Sequence, residues 1–261
     1  MDTRFWGPSG WKLLHLITFH YKYSPKNAVV YSQFFEAIPY ILPCKFCRSS
    51  LTDYYKKYPY KTYVNINPNL DLKKWMYNIH NCVNDKLRSQ GLNPSANPKY
   101  ADVKKMYETF TDWQEQLTVM WDFLFAVAYN HPKESKSEPM PDCPKEIYKC
   151  KDKCEKNKWN VLPFRDRIYW FKRFWAFLPV VLPEEISKRW KEIHNPPTLQ
   201  CRRSTLAWLW RMRCSLDSNF KDPYTSICKK ITSYSSDCGN KSKTCRVSKS
   251  KRNKTVKKII E

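Results

Sequence analysis

Cys44-Lys45-Phe46-Cys47 is the only CxxC pair among the 11 cysteines of this 261-residue chain. It follows the apolar and aromatic run Tyr40-Ile41-Leu42-Pro43. If a helix starts between two cysteines three apart, they fall on one face. Pro43 suits that start, where a missing N–H costs little. The unpaired N–H groups of the first turn and the positive end of the helix dipole then favour a thiolate. That is the chemistry of a redox-active dithiol. A structural zinc site would want a second pair at finger spacing; Cys150-x-x-x-Cys154 and scattered histidines are what the chain offers, and no metal is expected. A thioredoxin-like motif would need a strand before the CxxC, whereas the flanks here read as helical. A purely structural CxxC disulfide closes too short a loop to stabilise much.

Elements that must position the pair follow from apolar spacing. Residues 11–23 carry Trp11, Leu14, His15 and Thr18 on one stripe. A second helix is expected from Ser32 to Leu42 and a third from Cys44 to Tyr58. Asp71 reads as the N-cap of a fourth, with Trp75, Ile79, Val83 and Leu87 at helical intervals. A proline- and asparagine-rich turn at 93–99 precedes a short helix ending near Phe110, and an apolar segment runs from Trp113 to Tyr129. Residues 131–160 are rich in Pro, Lys, Glu and Asp, carry Cys143, Cys150 and Cys154, and read as a surface insertion. Aromatic helices return over 164–216.

Composition narrows the class. Only 4 glycines accompany 18 prolines, 11 tryptophans and 17 tyrosines, which suits helices punctuated by proline and packed by rings. No apolar run approaches the roughly 20 residues that span a bilayer, and the N-terminal residues lack a basic-then-apolar leader pattern. The expectation is a soluble protein made in the cytosol, without membrane partners. So many cysteines without a leader favour redox chemistry over a disulfide scaffold. The formal net charge of +23 is spread along helical faces and concentrated in a tail over 240–261. Such a tail is open to non-specific polyanion contact, and is equally at home solvated.

Three motifs in order then stand together: Gly7-x-x-x-Trp11-x-x-Leu14-His15, the CxxC behind its proline, and Trp75-x-x-x-Ile79-His80-Asn81-x-Val83-Asn84-x-Lys86-Leu87. Over about residues 3–110 they resemble the Erv/ALR family of FAD-linked sulfhydryl oxidases, and the basic, tyrosine-rich composition is most similar to the large-DNA-virus branch. The resemblance implies an all-α fold in which a four-helix bundle holds FAD, Cys47 lies next to the flavin and Cys44 exchanges with incoming thiols. It implies that Gly7, Gly10, Trp11 and His15 border the cofactor. His80, Asn81, Val83, Asn84, Lys86 and Leu87 would present the FAD-holding face of the fourth helix, with Lys86 near the diphosphate and Tyr107 near the adenine. The family's disulfide around the fourth helix is missing: Tyr77 and Pro94 occupy its positions, and Cys82 falls inside the HNxVN string.

The expected organisation is therefore an FAD-binding oxidase domain over 1–110, a second helical domain over 111–239 bearing the insertion at 131–160, and the basic tail. The implied activity is thiol oxidation that forms disulfides in protein substrates and passes electrons to O2, giving H2O2. A homodimer is an open possibility. For a viral protein, the host cytoplasm or the virion is the expected location. The competing reading is a basic nucleic-acid or protein-binding module with a non-catalytic CxxC. Cys150 and Cys154 are candidates for a shuttle disulfide, with a structural link as the alternative. Finally, Phe174-Trp175-Ala176-Phe177-Leu178-Pro179-Val180-Val181-Leu182-Pro183 echoes Phe34 to Pro43, and Trp121-x-Phe123-Leu124-Phe125 echoes Trp11 to His15. The second domain is thus either a degenerate copy of the first or an unrelated helical unit.

Overall fold

A computed structural model describes residues 1–60, 72–92, 95–132 and 164–235. Among them are eleven α-helices and no strand: α1 Thr3–Phe19, α2 Pro25–Ile41, α3 Lys45–Lys57, α4 Leu72–Ser89, α5 Tyr100–Thr109, α6 Trp113–Thr118, α7 Trp121–Tyr129, α8 Phe164–Val181, α9 Glu184–Glu192, α10 Arg202–Leu216 and α11 Tyr224–Ser233. The Cys150–Cys154 pair, the tail, Asp71 and Pro94 lie outside the described residues.

Local chemistry sets the helix starts. Asp2 accepts the Arg4 N–H to cap α1, and Ser24 accepts from Asn27 to cap α2 with Pro25 at the first helical position. Both helices begin well before the apolar stripes suggested, because these caps start them ahead of Phe5 and Trp6 in α1 and Ala28 and Tyr31 in α2, all buried in the core. The short helix α11, whose buried face is only Ile227 and Ile231 one turn apart, escaped the sequence reading. The expected 113–129 helix is broken at Val119 and Met120 into α6 and α7. Elsewhere the expected elements stand within a few residues of their places.

In the first half α1 packs on α4 and α5, α2 on α3, and α3 on α4; in the second, α7 packs on α10 and α11, α8 on α9, and α9 on α10. The broadest helix pairing joins the halves, α2 against α8, followed by α1 against α7. One hydrophobic cluster consequently runs through both halves. Phe34, Phe35 and Phe174 at its centre are fully buried, each contributing about 1.5–3 kcal/mol by transfer from water. At the α1–α7 crossing a Cβ on Gly10 would come within 2.9 Å of the Phe123 ring, itself fully buried. Gly10→Ala is therefore expected to destabilise the chain by about 1–3 kcal/mol through overpacking; an unchanged urea midpoint would show that the crossing yields.

No disulfide ties α4 to its neighbour at Tyr77. Instead the Tyr77 hydroxyl donates to the Pro98 carbonyl at 2.8 Å, its ring meets Tyr100 at 5.2 Å, and the Lys74 ammonium lies over both rings. Asn97 adds side-chain bonds to Asn84 and Asp85. Hydrogen bonds and ring packing thus hold the segment the family's disulfide would hold.

Candidate functional site

Cys44 is the N-cap of α3, in extended conformation behind Pro43. Its Sγ accepts the Cys47 N–H at 3.3 Å. The helix therefore starts between the two cysteines, as their spacing predicts. The pair is polarised. A hydrogen bond from the Cys47 thiol, the Cys47 N–H and nearby Arg48 hold the Cys44 thiol below its ordinary range, although burial opposes them. Donation to Cys44, then burial, push the Cys47 thiol up. Cys44 is only 2% exposed, so an incoming thiol must reach it past the side chains that cover it.

Both sulfurs border a cavity of about 590 Å³ enclosed by α1, α2, α3, α4 and α5. Its walls contain Gly7, Gly10, Trp11, His80, Val83, Asn84, Lys86, Leu87 and Tyr107, nine of the positions singled out in the sequence. Two of the expected residues stand apart. Asn81 is not in the wall. His15 lies behind it: its Nε2 is 3.1 Å from His80 Nδ1, and its ring stacks on Tyr107 at 4.9 Å. His80 in turn stacks on Trp11 at 4.0 Å and 10°. His15 thus orients a wall instead of forming one. Gly10 does border the cavity, but its nearest neighbour is Phe123, not open space.

Sequence reasoning missed Phe46, Ser50 and Tyr54, which follow the dithiol along α3 at four-residue spacing and line the cavity. That stripe was there to be read. Phe123, which reaches the cavity from the second half, had no local signal. Lys86 Nζ donates to Ser50 Oγ at 2.6 Å across the wall, placing a cation beside the cavity.

The histidine pair is held neutral. Burial, reinforced for His15 by His80, lowers His15 to about 3, and burial lowers His80 to about 4, from an ordinary 6.5. His131 and His20 shift the same way, chiefly by burial. The unfolded chain takes up protons below pH 6.5 that the folded chain refuses until pH 3–4. The histidines' contribution to stability is therefore constant above 6.5 and falls as pH drops from there towards 4. A guanidinium midpoint that stayed constant between pH 7 and pH 5 would contradict this.

Residues 8–108 match the sequence profile of the Erv1 / Alr family. The chain's relatives include a probable FAD-linked sulfhydryl oxidase of Acanthamoeba polyphaga mimivirus, 35% identical over 32% of this chain and 59% of that protein. An FAD-linked sulfhydryl oxidase of African swine fever virus is 28% identical over 40% and 80%. A putative FAD-linked sulfhydryl oxidase of invertebrate iridescent virus 3 is 30% identical over 35% and 62%. The chain thus spans about three-fifths of the mimivirus protein. No solved structure gives a significant match.

The segment that matches the family also passes a test of fit for a flavin. Its cavity falls in the usual range for cofactor sites and is faced by the rings of Trp11, Phe46, Tyr54, His80 and Tyr107. Trp6, also in the wall, buries an indole N–H with no hydrogen-bond partner among the described residues. A planar ligand with acceptor atoms would suit both the rings and that donor. No helix among the described residues is long and apolar enough to cross a membrane.

Proposed function

We propose that this chain is an FAD-dependent thiol oxidase that forms disulfides in thiol-bearing substrates. The observation that carries the reading is a polarised dithiol, set at a helix N-terminus, opening into an aromatic-walled cavity of cofactor size. The dithiol and most of the wall belong to the Erv1/Alr segment, whose relatives are called FAD-linked sulfhydryl oxidases.

The residues divide the work. In the oxidised pair a substrate thiolate attacks Cys44 Sγ; the Cys44–Cys47 bond breaks, and a substrate–Cys44 disulfide forms. A second substrate thiolate attacks the substrate sulfur, and Cys44 leaves as thiolate. The same Cys47 N–H that helps to lower the Cys44 thiol makes it the better leaving group. Substrate thereby loses two electrons and two protons and leaves as a disulfide, with the enzyme pair reduced. Trp11, His80 and Tyr107 would hold the ring system, and Lys86 would meet the diphosphate. Cys47, half-buried and in the same wall as Cys44, would face the ring. FAD, when bound, supplies the two-electron acceptor for the dithiol and the route onward to O2, with H2O2 as product.

The test is direct. Purified protein should be yellow, with flavin absorbance, and should consume oxygen in the presence of a small dithiol. A colourless protein without oxygen uptake would leave the basic binding module as the better reading.

A further inference from the structure

The helices after residue 111 repeat the order, ends and packing of those before it. Asp2 caps α1, Thr3–Phe19; Asp112 caps α6, which with α7 runs from Trp113 to Tyr129, interrupted at two residues. α2 and α8 each carry a proline two residues before their last, Pro39 before Ile41 and Pro179 before Val181. α3 and α9 start just beyond Pro43 and at Pro183. α5 and α11 are each 10 residues long and open on tyrosine. The packing partners correspond too: α1 on α4 and α5 as α7 on α10 and α11, α2 on α3 as α8 on α9, α3 on α4 as α9 on α10.

Side-chain geometry repeats where helix formation alone would not require it. Trp75 Nε1 donates to the Tyr58 carbonyl just past α3, at 2.8 Å; Trp208 Nε1 donates to the Asn195 carbonyl just past α9, at 3.0 Å. Phe35 meets Trp75 edge-on at 5.0 Å and 74°; Trp175 meets Trp208 at 5.1 Å and 84°.

Corresponding helices also mate with each other. Contacts along α2 and α8 pair Tyr31 with Val181, Phe34 with Phe174, Glu36 with Arg173 and Tyr40 with Trp170. One number rises as the other falls, so the helices run antiparallel. The corresponding residues Phe34 and Phe174 stack on each other at 5.6 Å near the centre. A self-complementary interface about a two-fold axis places equivalent residues together in this way.

What differs is the slot: the cavity of about 410 Å³ that borders Trp121 and Arg213 is walled by Arg4, Phe5, Pro8, Ser9 and Lys12 of α1 and by no residue of α8 or α9. Arg213 follows Trp208 by the interval at which His80 follows Trp75, and its guanidinium lies 5.5 Å from the Trp121 ring, where the first half stacks His80 on Trp11. Trp190 of α9 stacks on Trp121 at 6.2 Å and 15°, and both rings are buried. Phe125 stands for His15, and Pro183 is followed by Glu184 to Ser187 with no cysteine.

We infer that the second half is a closed copy of the Erv1/Alr bundle that serves as the first half's built-in partner, so that the chain is a monomeric pseudo-dimer with one flavin site. The flavin count rests on the proposed function; the pairing does not. Sedimentation equilibrium of the full-length protein over a wide concentration range should give the mass of one chain, 31.4 kDa, and absorbance should give one flavin per chain. A stable dimer overturns the built-in partner, and two flavins per chain overturn the closed slot. A colourless monomer removes the oxidase reading while supporting the pairing. An experimental structure in which Trp208 fails to fall on Trp75 when the two halves are superposed overturns the repeat itself.

Discussion

Cys47→Ser and Cys44→Ser proteins are expected to remain yellow and to stop turning over. Each substitution trades one sulfur for oxygen in a wall made mostly by other helices, so the cavity of Trp11, His80, Asn84 and Tyr107 stays intact. The chemistry does not survive, because neither single cysteine can carry a substrate disulfide through to reduction of the pair. Oxygen consumption with a small dithiol should fall by on the order of a thousandfold or more, to background. The two variants should differ in one respect. Cys47→Ser retains the polarising backbone N–H on Cys44 and, offered substrate in its disulfide form, should trap a mixed disulfide as the Cys44 thiolate attacks one sulfur and the other leaves as thiolate. Cys44→Ser leaves the thiol that burial pushes up and should trap little. Turnover by both single variants would remove the dithiol from the mechanism.

Trp75→Ala is expected to cost about 3–5 kcal/mol, a large part of the roughly 5–15 kcal/mol that holds a domain folded. Trp75 is fully buried and is met by the rings of Phe35, Tyr55 and Tyr60. Its indole N–H satisfies the Tyr58 carbonyl where α3 ends. Removing it opens a cavity between α2, α3 and α4 and leaves that carbonyl unpaired. Trp75→Phe should cost less, since the ring contacts persist and chiefly the hydrogen bond is lost, about 1–3 kcal/mol. Trp208→Ala should match Trp75→Ala in size, given its own buried ring and its bond to Asn195. Urea denaturation monitored by circular dichroism provides the comparison. A loss below about 1 kcal/mol for Trp75→Ala would mean that the core closes around the gap.

The dithiol's setting was legible in the sequence because everything that shapes it lies within one turn. Pro43 ends α2's run, Cys44 caps, and the Cys47 N–H of α3's first turn bonds its sulfur. The motif residues of α4 were legible for a similar reason: helical spacing puts His80, Asn84 and Leu87 on one stripe, and all three line the cavity. Helix starts were read less well. Asp2, Ser24 and Pro25 act through caps ahead of the apolar stripes, and Gly7, Pro8 and Gly10 look like helix breakers until Asp2 is seen to hold the first turn.

Sequence by itself determined a helical chain and a CxxC at a helix N-terminus, and the spacing along α4 put His80, Asn84 and Leu87 on one stripe. Those follow from backbone caps and the 3.6-residue period, which act over a few neighbours. Tertiary structure alone decided that His15 stands behind the wall on His80, that Gly10 admits Phe123 from the far half, and that Cys44 is covered. It also decided that the two halves share one core through α2 and α8. Each of these depends on which surfaces meet across long stretches of chain, and close packing settles that only when all the helices are in place.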